Sequence, residues 1–300
     1  RMLRHAAARI AVGQMRSTSD VEANMAESKR LCQLARLQGA SFLSLPECFE
    51  FMGTPGTGDA LKMAEPLTGE IVSRYRKLAR DEGLWLSLGG FHERKTKDDP
   101  KIYNTHIVVD DAGQIAATYR KLHLFDVDYD GGFQESRSTH KGEEIVVLKD
   151  TPFGNIGITT CYDLRFPELF VALRDAGAHL ILIPSAFMPT TGEAHWEVLL
   201  RARAIETQCY VAAAAQFGRH NEKRSSYGHA LIVDPWGKVL QDAGSESAGV
   251  VVADLDFSLL EQVRARMPMS AHRRTDVLRV AVVGTGVKVI SYQQHLTPSL

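Results

Sequence analysis

The stretch Ile156-Gly157-Ile158-Thr159-Thr160-Cys161-Tyr162-Asp163-Leu164-Arg165-Phe166-Pro167-Glu168 reads as a strand ending at a thiol, a short turn, and a helix entered through Pro167. Proline suits the first helical position because its missing N–H has no partner there. The same alternation recurs on both sides of this stretch. Residues 10–15 read as a strand, followed by a helix capped by Ser19 that runs through Val21, Met25, Cys32 and Ala35 to Gly39. Residues 41–46 form an apolar strand ending at Glu47, and residues 71–82 a helix closed by Gly83. Residues 84–91 are a nearly continuous apolar run, which suits a strand buried on both faces. Two strands, 103–109 and 114–120, flank the turn Asp110-Asp111-Ala112-Gly113. Residues 125–142, rich in Gly, Asp and Ser, read as a long loop. Beyond the thiol come a helix at 167–176, a strand at 178–184, a helix at 193–207, and strands at 209–216, 229–233 and 249–254. Helices alternating with apolar strands predict a layered α/β protein, with one domain over residues 9–276. Sites in such sheets gather at the carboxyl ends of strands, where Glu47, Lys121 and Cys161 all fall.

The composition narrows the function classes. Hydrophobic residues make up 44% and charged residues 24%, ordinary values for a globular protein. A formal net charge of −1 supplies no basic face for nucleic acid. No run of about 18 apolar residues is present, so no membrane partner is expected. The four cysteines, Cys32, Cys48, Cys161 and Cys209, form no C-x-x-C pair and no disulfide framework, which points to a reducing compartment. The eleven histidines show no metal-ligand spacing, so neither a metal nor a cofactor is expected. Val283-Gly284-Thr285-Gly286 lacks the third glycine and the following βαβ unit of a dinucleotide site. Lys223-Arg224 reads as a solvated turn, and His195 as a hydrogen-bonded structural histidine. Residues 1–8 are basic and free of acids, and read either as a processed transit remnant or as a few disordered residues. The cytoplasm is the expected location, with mitochondrion or chloroplast as alternatives.

A thiol attacks only after losing its proton. Glu47 is the carboxylate placed to take it. Once sulfur adds to a carbonyl carbon, charge grows on oxygen, and Lys121 with the Tyr162 backbone N–H can stabilise it. Glu47 would then protonate the leaving amine and activate water against the thioester. Arg165 offers a planar fork of donors to a carboxylate, or pairs internally with Asp163 or Glu168.

Three segments now stand in order: Leu45-Pro46-Glu47, Tyr119-Arg120-Lys121-Leu122-His123, and Cys161 through Glu168. This order resembles the nitrilase (carbon–nitrogen hydrolase) superfamily, from about Ile10 to about Asp276. Trp85-Leu86-Ser87-Leu88-Gly89-Gly90-Phe91-His92-Glu93, Gly192-Glu193-Ala194-His195-Trp196-Glu197, Arg201 to Val211, and Asp234-Pro235-Trp236-Gly237 are most similar to its deaminated glutathione amidase branch.

The resemblance implies an α-β-β-α sandwich completed when two protomers stack, and therefore a homodimer or higher homo-oligomer. It implies Glu47 as base, Lys121 as oxyanion stabiliser and Cys161 as nucleophile. A second glutamate, Glu135 in Phe133-Gln134-Glu135-Ser136, would position Lys121 and the substrate. Tyr162, Arg165, Phe187 and Thr191 would line the substrate, although Phe187 also suits the core. The implied function is an amidase acting on the amide of deaminated glutathione, with a small-molecule α-keto acid amide as partner. The rivals are an ω-amidase for shorter α-keto acid amides, a nitrile hydrolase, and a scaffold that has lost catalysis. Residues 277–300 depart from the family pattern, which puts the tail's contribution to a dimer contact in doubt.

Overall fold

The computed structural model describes residues 8–128, 132–278, 282 and 286–293. The stretch 1–7, Val283-Gly284-Thr285 and the last seven residues lie outside them. The chain runs β1 (Ala8–Met15), α1 (Val21–Leu37), β2 (Phe42–Leu45), α2 (Asp59–Met63), α3 (Glu70–Glu82), β3 (Trp85–Glu93), β4 (Tyr103–Val109) and β5 (Ile115–Arg120). A short ribbon, β6 (Asp126–Val127) with β7 (Phe133–Gln134), precedes β8 (Ile145–Thr151), β9 (Gly154–Ile158), α4 (Pro167–Asp175), β10 (Leu180–Leu182) and α5 (Pro189–Thr207). Then come β11 (Tyr210–Ala213), β12 (Ala215–Arg219), β13 (Ser225–Tyr227), β14 (Leu231–Val233), β15 (Val239–Asp242), β16 (Gly249–Leu255), α6 (Phe257–Arg266), α7 (Met269–His272) and β17 (Val287–Ser291).

Two sheets result. One runs β13-β12-β1-β2-β3-β4-β5 with β16 also pairing β1; the other runs β15-β14-β11-β10-β9-β8-β17. Side chains alternate across a strand, so each strand of the first sheet serves two cores. Ile10, Val12, Phe42, Trp85 and Val108 meet Val147, Ile156, Ile158 and Leu182 of the second sheet. Their neighbours Ala11, Leu43, Leu45, Leu86, Leu88, Ile107 and Val109 face Leu31, Cys32 and Ala35 of α1 and Ile71, Tyr75 and Leu78 of α3. Phe170 and Leu173 of α4 and Trp196 and Leu200 of α5 cover the outside of the second sheet. One chain therefore supplies all four layers, helix, sheet, sheet, helix. Stacking of a second protomer is not what forms them, because both helix layers are already packed on their sheets.

Several local expectations change. Asp20, not Ser19, caps α1, accepting from the Ala23 N–H at 3.0 Å. Helix α5 starts at Pro189, four residues before the expected Glu193. The run 209–216 is not one strand: β11 lies in the second sheet and β12 in the first, so the chain crosses between sheets at Ala214. Within 125–142, β6, β7 and a 3-10 turn at Glu135–Arg137 replace plain loop. In the divergent tail, β17 pairs in parallel with β8. Next to it the Tyr292 ring stands edge-on to Trp85 at 4.6 Å, and its hydroxyl donates to Asp110 at 3.2 Å.

Candidate active site

Cys161 follows β9 after Thr159 and Thr160 and opens a 3-10 turn, Cys161–Arg165, that leads into α4 at Pro167. Its φ of 49° lies in the left-handed region, uncommon for a residue with a Cβ. Such strain is held only where the surroundings over-determine it. Here the Cys161 N–H donates to Pro184 O at 3.0 Å. The Thr160 N–H donates to Asp163 Oδ2 at 2.9 Å.

Glu47 stands two residues past β2, on a turn fastened from several sides. Gln216, just beyond the crossing between sheets, donates its side-chain N–H to Glu47 O at 3.0 Å. The Cys48 N–H donates to Gly90 O at 3.2 Å. Glu50 accepts from both the backbone N–H and Nδ1 of His92, at 2.9 and 2.7 Å. Gly90 is obligatory here: its φ is +72°, and a Cβ would stand 2.6 Å from Glu47 Cγ.

Lys121 follows β5, and its ammonium reaches between two carboxylates, 3.0 Å from Glu47 Oε1 and 2.9 Å from Glu135 Oε2. Asn104 completes the ring, donating Nδ2 to Glu47 Oε1 at 2.9 Å and to Glu135 Oε1 at 3.1 Å. Glu135 also accepts from the Phe125 N–H at 2.8 Å. The Ala186 N–H donates to the other Glu47 oxygen at 3.1 Å. The Cys161 thiol lies within hydrogen-bonding reach of the same carboxylate and of the Ala186 N–H. Sulfur, carboxylate and ammonium thus share one nearly closed cluster: Cys161 is 8%, Glu47 4% and Lys121 2% exposed.

The carbon-nitrogen hydrolase family model matches residues 9–265. The chain belongs to the carbon-nitrogen hydrolase family. This carbon-nitrogen hydrolase is 49% identical over 272 residues to a Bos taurus protein named deaminated glutathione amidase, covering 89% of this chain and 82% of that protein. Its fold matches the C. elegans NitFhit structure with a TM-score of 0.86 and 42% identity, over 94% of this chain and 69% of that one. It matches Saccharomyces cerevisiae Nit3, described as a member of branch 10 of the nitrilase superfamily, with a TM-score of 0.79 and 31% identity, over 90% and 98%.

The electrostatics of this hydrolase's cluster set its resting protonation. Burial works to raise the Glu47 carboxyl, but Lys121, the thiol and Asn104 outweigh it and hold the group below the usual carboxylate range. Burial and the Glu47 charge push the Cys161 thiol well up, against the pull of Lys121. Lys121 keeps its proton because Glu135 and Glu47 overcome the effect of burial. The resting set is therefore thiol, carboxylate and ammonium. A preformed thiolate is disfavoured, so proton transfer to Glu47 must accompany attack.

Of the expected substrate contacts, Arg165 is half-buried, and its guanidinium lies 5.3 Å from the Phe187 ring centre and 5.8 Å from that of Tyr162. It pairs with neither Asp163 nor Glu168; Nη1 is 3.1 Å from Nδ1 of His195, which is exposed on α5. Phe187 is both core and wall, packed on Trp196 at 4.8 Å. Thr191 is buried, its hydroxyl turned to Met188 O at 3.4 Å. Lys223-Arg224 is only half a solvated turn: Lys223 is exposed, Arg224 is half-buried, and its charge reaches Glu47.

Sequence reasoning missed Asn104, Gln216 and Asp163. Asp163 is fully buried and accepts from Tyr119 OH at 2.7 Å, the Thr160 N–H at 2.9 Å, and the N–H and Nδ1 of His123 at 3.1 and 2.8 Å. The available signal was its place two residues after the thiol, in a turn that needs an acceptor.

Proposed function

We propose that this hydrolase is an amidase that cleaves the amide of deaminated glutathione through a thioester on Cys161. The observation that carries this reading is the Glu47 carboxylate, which faces the Cys161 thiol and the Lys121 ammonium together. Glu47 takes the thiol proton as sulfur attacks the amide carbon. Lys121 and the Tyr162 backbone N–H meet the charge growing on oxygen. Glu47 returns the proton to nitrogen, the C–N bond breaks, and the amine leaves. Water then loses a proton to Glu47 and adds to the thioester. The acid departs, and the C–S bond breaks to restore the thiol. Glu135 keeps Lys121 aimed and charged throughout.

The substrate's α-keto acid carboxylate is assigned to Arg165, whose guanidinium lies over the rings of Tyr162 and Phe187. Relatives that carry the name deaminated glutathione amidase support deaminated glutathione as the substrate.

Acid-quenched intact mass after mixing with deaminated glutathione tests the chemistry. A 4-carboxy-4-oxobutanoyl thioester that maps to Cys161 and disappears in Cys161→Ala is the expected result. Comparing kcat/KM for deaminated glutathione and α-ketoglutaramate tests the substrate. Faster turnover of the shorter amide would replace this assignment with an ω-amidase.

A further inference from the structure

A chain of hydrogen bonds through Ser44, Ser87, His106 and Thr159, all fully buried, joins the two sheets. Ser44 lies on β2, three residues before Glu47, and pairs in register with Ser87 of β3. Their hydroxyl oxygens stand 3.0 Å apart. Ser87 Oγ is 2.7 Å from His106 Nε2 on β4, and His106 Nδ1 is 2.8 Å from Thr159 O. Thr159 follows β9 in the other sheet, two residues before Cys161. A carbonyl oxygen only accepts, so Nδ1 carries the imidazole hydrogen and Nε2 accepts from Ser87. Ser87 in turn accepts from Ser44. The chain therefore runs in one direction, from the strand that leads to the base toward the strand that leads to the nucleophile.

Thr159 is gripped from both sheets. Its N–H and its hydroxyl donate to Leu182 O of β10, at 3.2 and 2.8 Å, while its carbonyl receives His106. The left-handed backbone of Cys161, two residues on, needs such support from its surroundings. Side chains alternate along a strand, so Asn104 and His106 share one face of β4. Asn104 reaches the carboxylates of Glu47 and Glu135, and His106 reaches the strand of the nucleophile. One short strand thus sets carboxylates and sulfur relative to each other.

We propose that His106 is a positioning residue for the nucleophile: through the Thr159 carbonyl it sets the place of Cys161 relative to Glu47, without touching substrate. This inference rests on the amidase reading above for the choice of substrate. Without the imidazole donor, the Thr159 carbonyl is left buried and unpaired. The strand end then relaxes toward another donor and carries Cys161 with it. A displacement of about 1 Å is enough to cost about 100-fold in rate.

The test rests on two substitutions of similar polarity. In His106→Asn the amide nitrogen takes the place of Nδ1 and keeps a donor on Thr159. In His106→Gln the longer side chain carries its amide to the place of Nε2, beside Ser87, and gives up the carbonyl. His106→Leu gives up both contacts. All are measured where circular dichroism shows a native fold. With deaminated glutathione, His106→Gln and His106→Leu are expected to lose about 100-fold in kcat, with KM within about twofold of wild type. His106→Asn is expected to lose no more than about fivefold. Single-turnover acylation carries the whole loss. Iodoacetamide labelling of Cys161, mapped by peptide mass, is expected to slow by about tenfold or more in the Gln and Leu variants only. Two results would overturn the proposal: equal losses in His106→Asn and His106→Gln, or a lower Tm in all three variants with kcat and labelling near wild type. Should His106→Leu not fold, the Asn and Gln variants decide alone. Failure of wild type to turn over deaminated glutathione would overturn the amidase reading instead. The order of Cys161 labelling among the variants would still uphold or overturn the role of His106.

Discussion

Asp163 Oδ1 accepts a hydrogen bond from His123 Nδ1 at 2.8 Å, which joins the segment after Lys121 to the turn that carries Cys161. The other oxygen of the same carboxylate takes Tyr119 OH, two residues before Lys121, and the N–H of Thr160, one residue before the thiol. One buried side chain thus fixes ammonium and sulfur relative to each other. Asp163→Asn keeps the volume but turns a donor toward these donors. We expect kcat to fall about 100-fold with KM little changed, the effect of misplacing a reacting group by about 1 Å. Steady-state kinetics with a circular-dichroism check of folding decide this.

Lys121→Met removes the charge that faces the developing oxyanion. A loss of about 100- to 1,000-fold in kcat is expected, in line with removal of an oxyanion donor. Glu135→Gln keeps a partner for Lys121 and is expected to lose less. Single-turnover acylation rates separate the two variants, and equal losses would contradict the division of roles.

The acid limb of the rate profile reports Glu47. Its carboxyl is held below the usual range by Lys121, the thiol and Asn104, so the base stays ionised well into acid. Activity is therefore expected to persist as pH falls past 4.5, the ordinary value for this group, until the fold itself gives way. Asn104→Ala deletes one of the donors that favour the charged form. The limb is expected to move up by up to about one pH unit. A kcat/KM profile of the two proteins measures the shift, and a downward shift would contradict it.

His106 is buried beside Thr159, with Nδ1 donating to the Thr159 carbonyl at 2.8 Å and Nε2 accepting from Ser87 Oγ at 2.7 Å. Burial lowers its pKa from 6.5 to about 4. Between those values the unfolded chain binds a proton that the folded chain refuses. Stability is thus full above 6.5 and declines as pH falls toward 4. At pH 5 the loss is about 2 kcal/mol from this residue alone. Urea unfolding at pH 7 and pH 5 measures it, and His106→Gln is expected to remove about one proton from the slope.

Tyr292 closes the tail onto the first sheet through Trp85 and Asp110. Tyr292→Ala is expected to cost about 1–3 kcal/mol, read as a lower Tm, with kcat unchanged because no catalytic group touches it.

The sequence made Cys161, Glu47 and Lys121 legible for one reason: each follows an apolar strand, and strand ends are where sheets expose chemistry. Asn104 was not legible, because a polar residue in a strand gains its role from what faces it. Here the register of β4 with β3 and β5 sets Asn104 opposite His92 and places Thr105 opposite Arg120. The apolar runs also hide which face is which. Ile10 and Ala11 look alike in a string, yet they belong to different cores. Helix α6 carried a readable signal, Asp256 followed by Phe257, Ser258, Leu259 and Leu260, and Asp256 does cap it through the Ser258 and Leu259 N–H groups. Run 209–216 reads as one strand because its break at Ala214 changes no residue type, only the sheet that receives the chain.

That crossing at Ala214 ties the fate of the two halves together. Tyr210 to Ala213 lock into the sheet that presents the nucleophile, and three residues later Gln216 steadies the base on the other sheet. A slip of one position would turn both faces over at once. Neither sheet can melt and leave a half-working molecule behind, so inactivation on heating should follow the loss of ordered backbone as a single event.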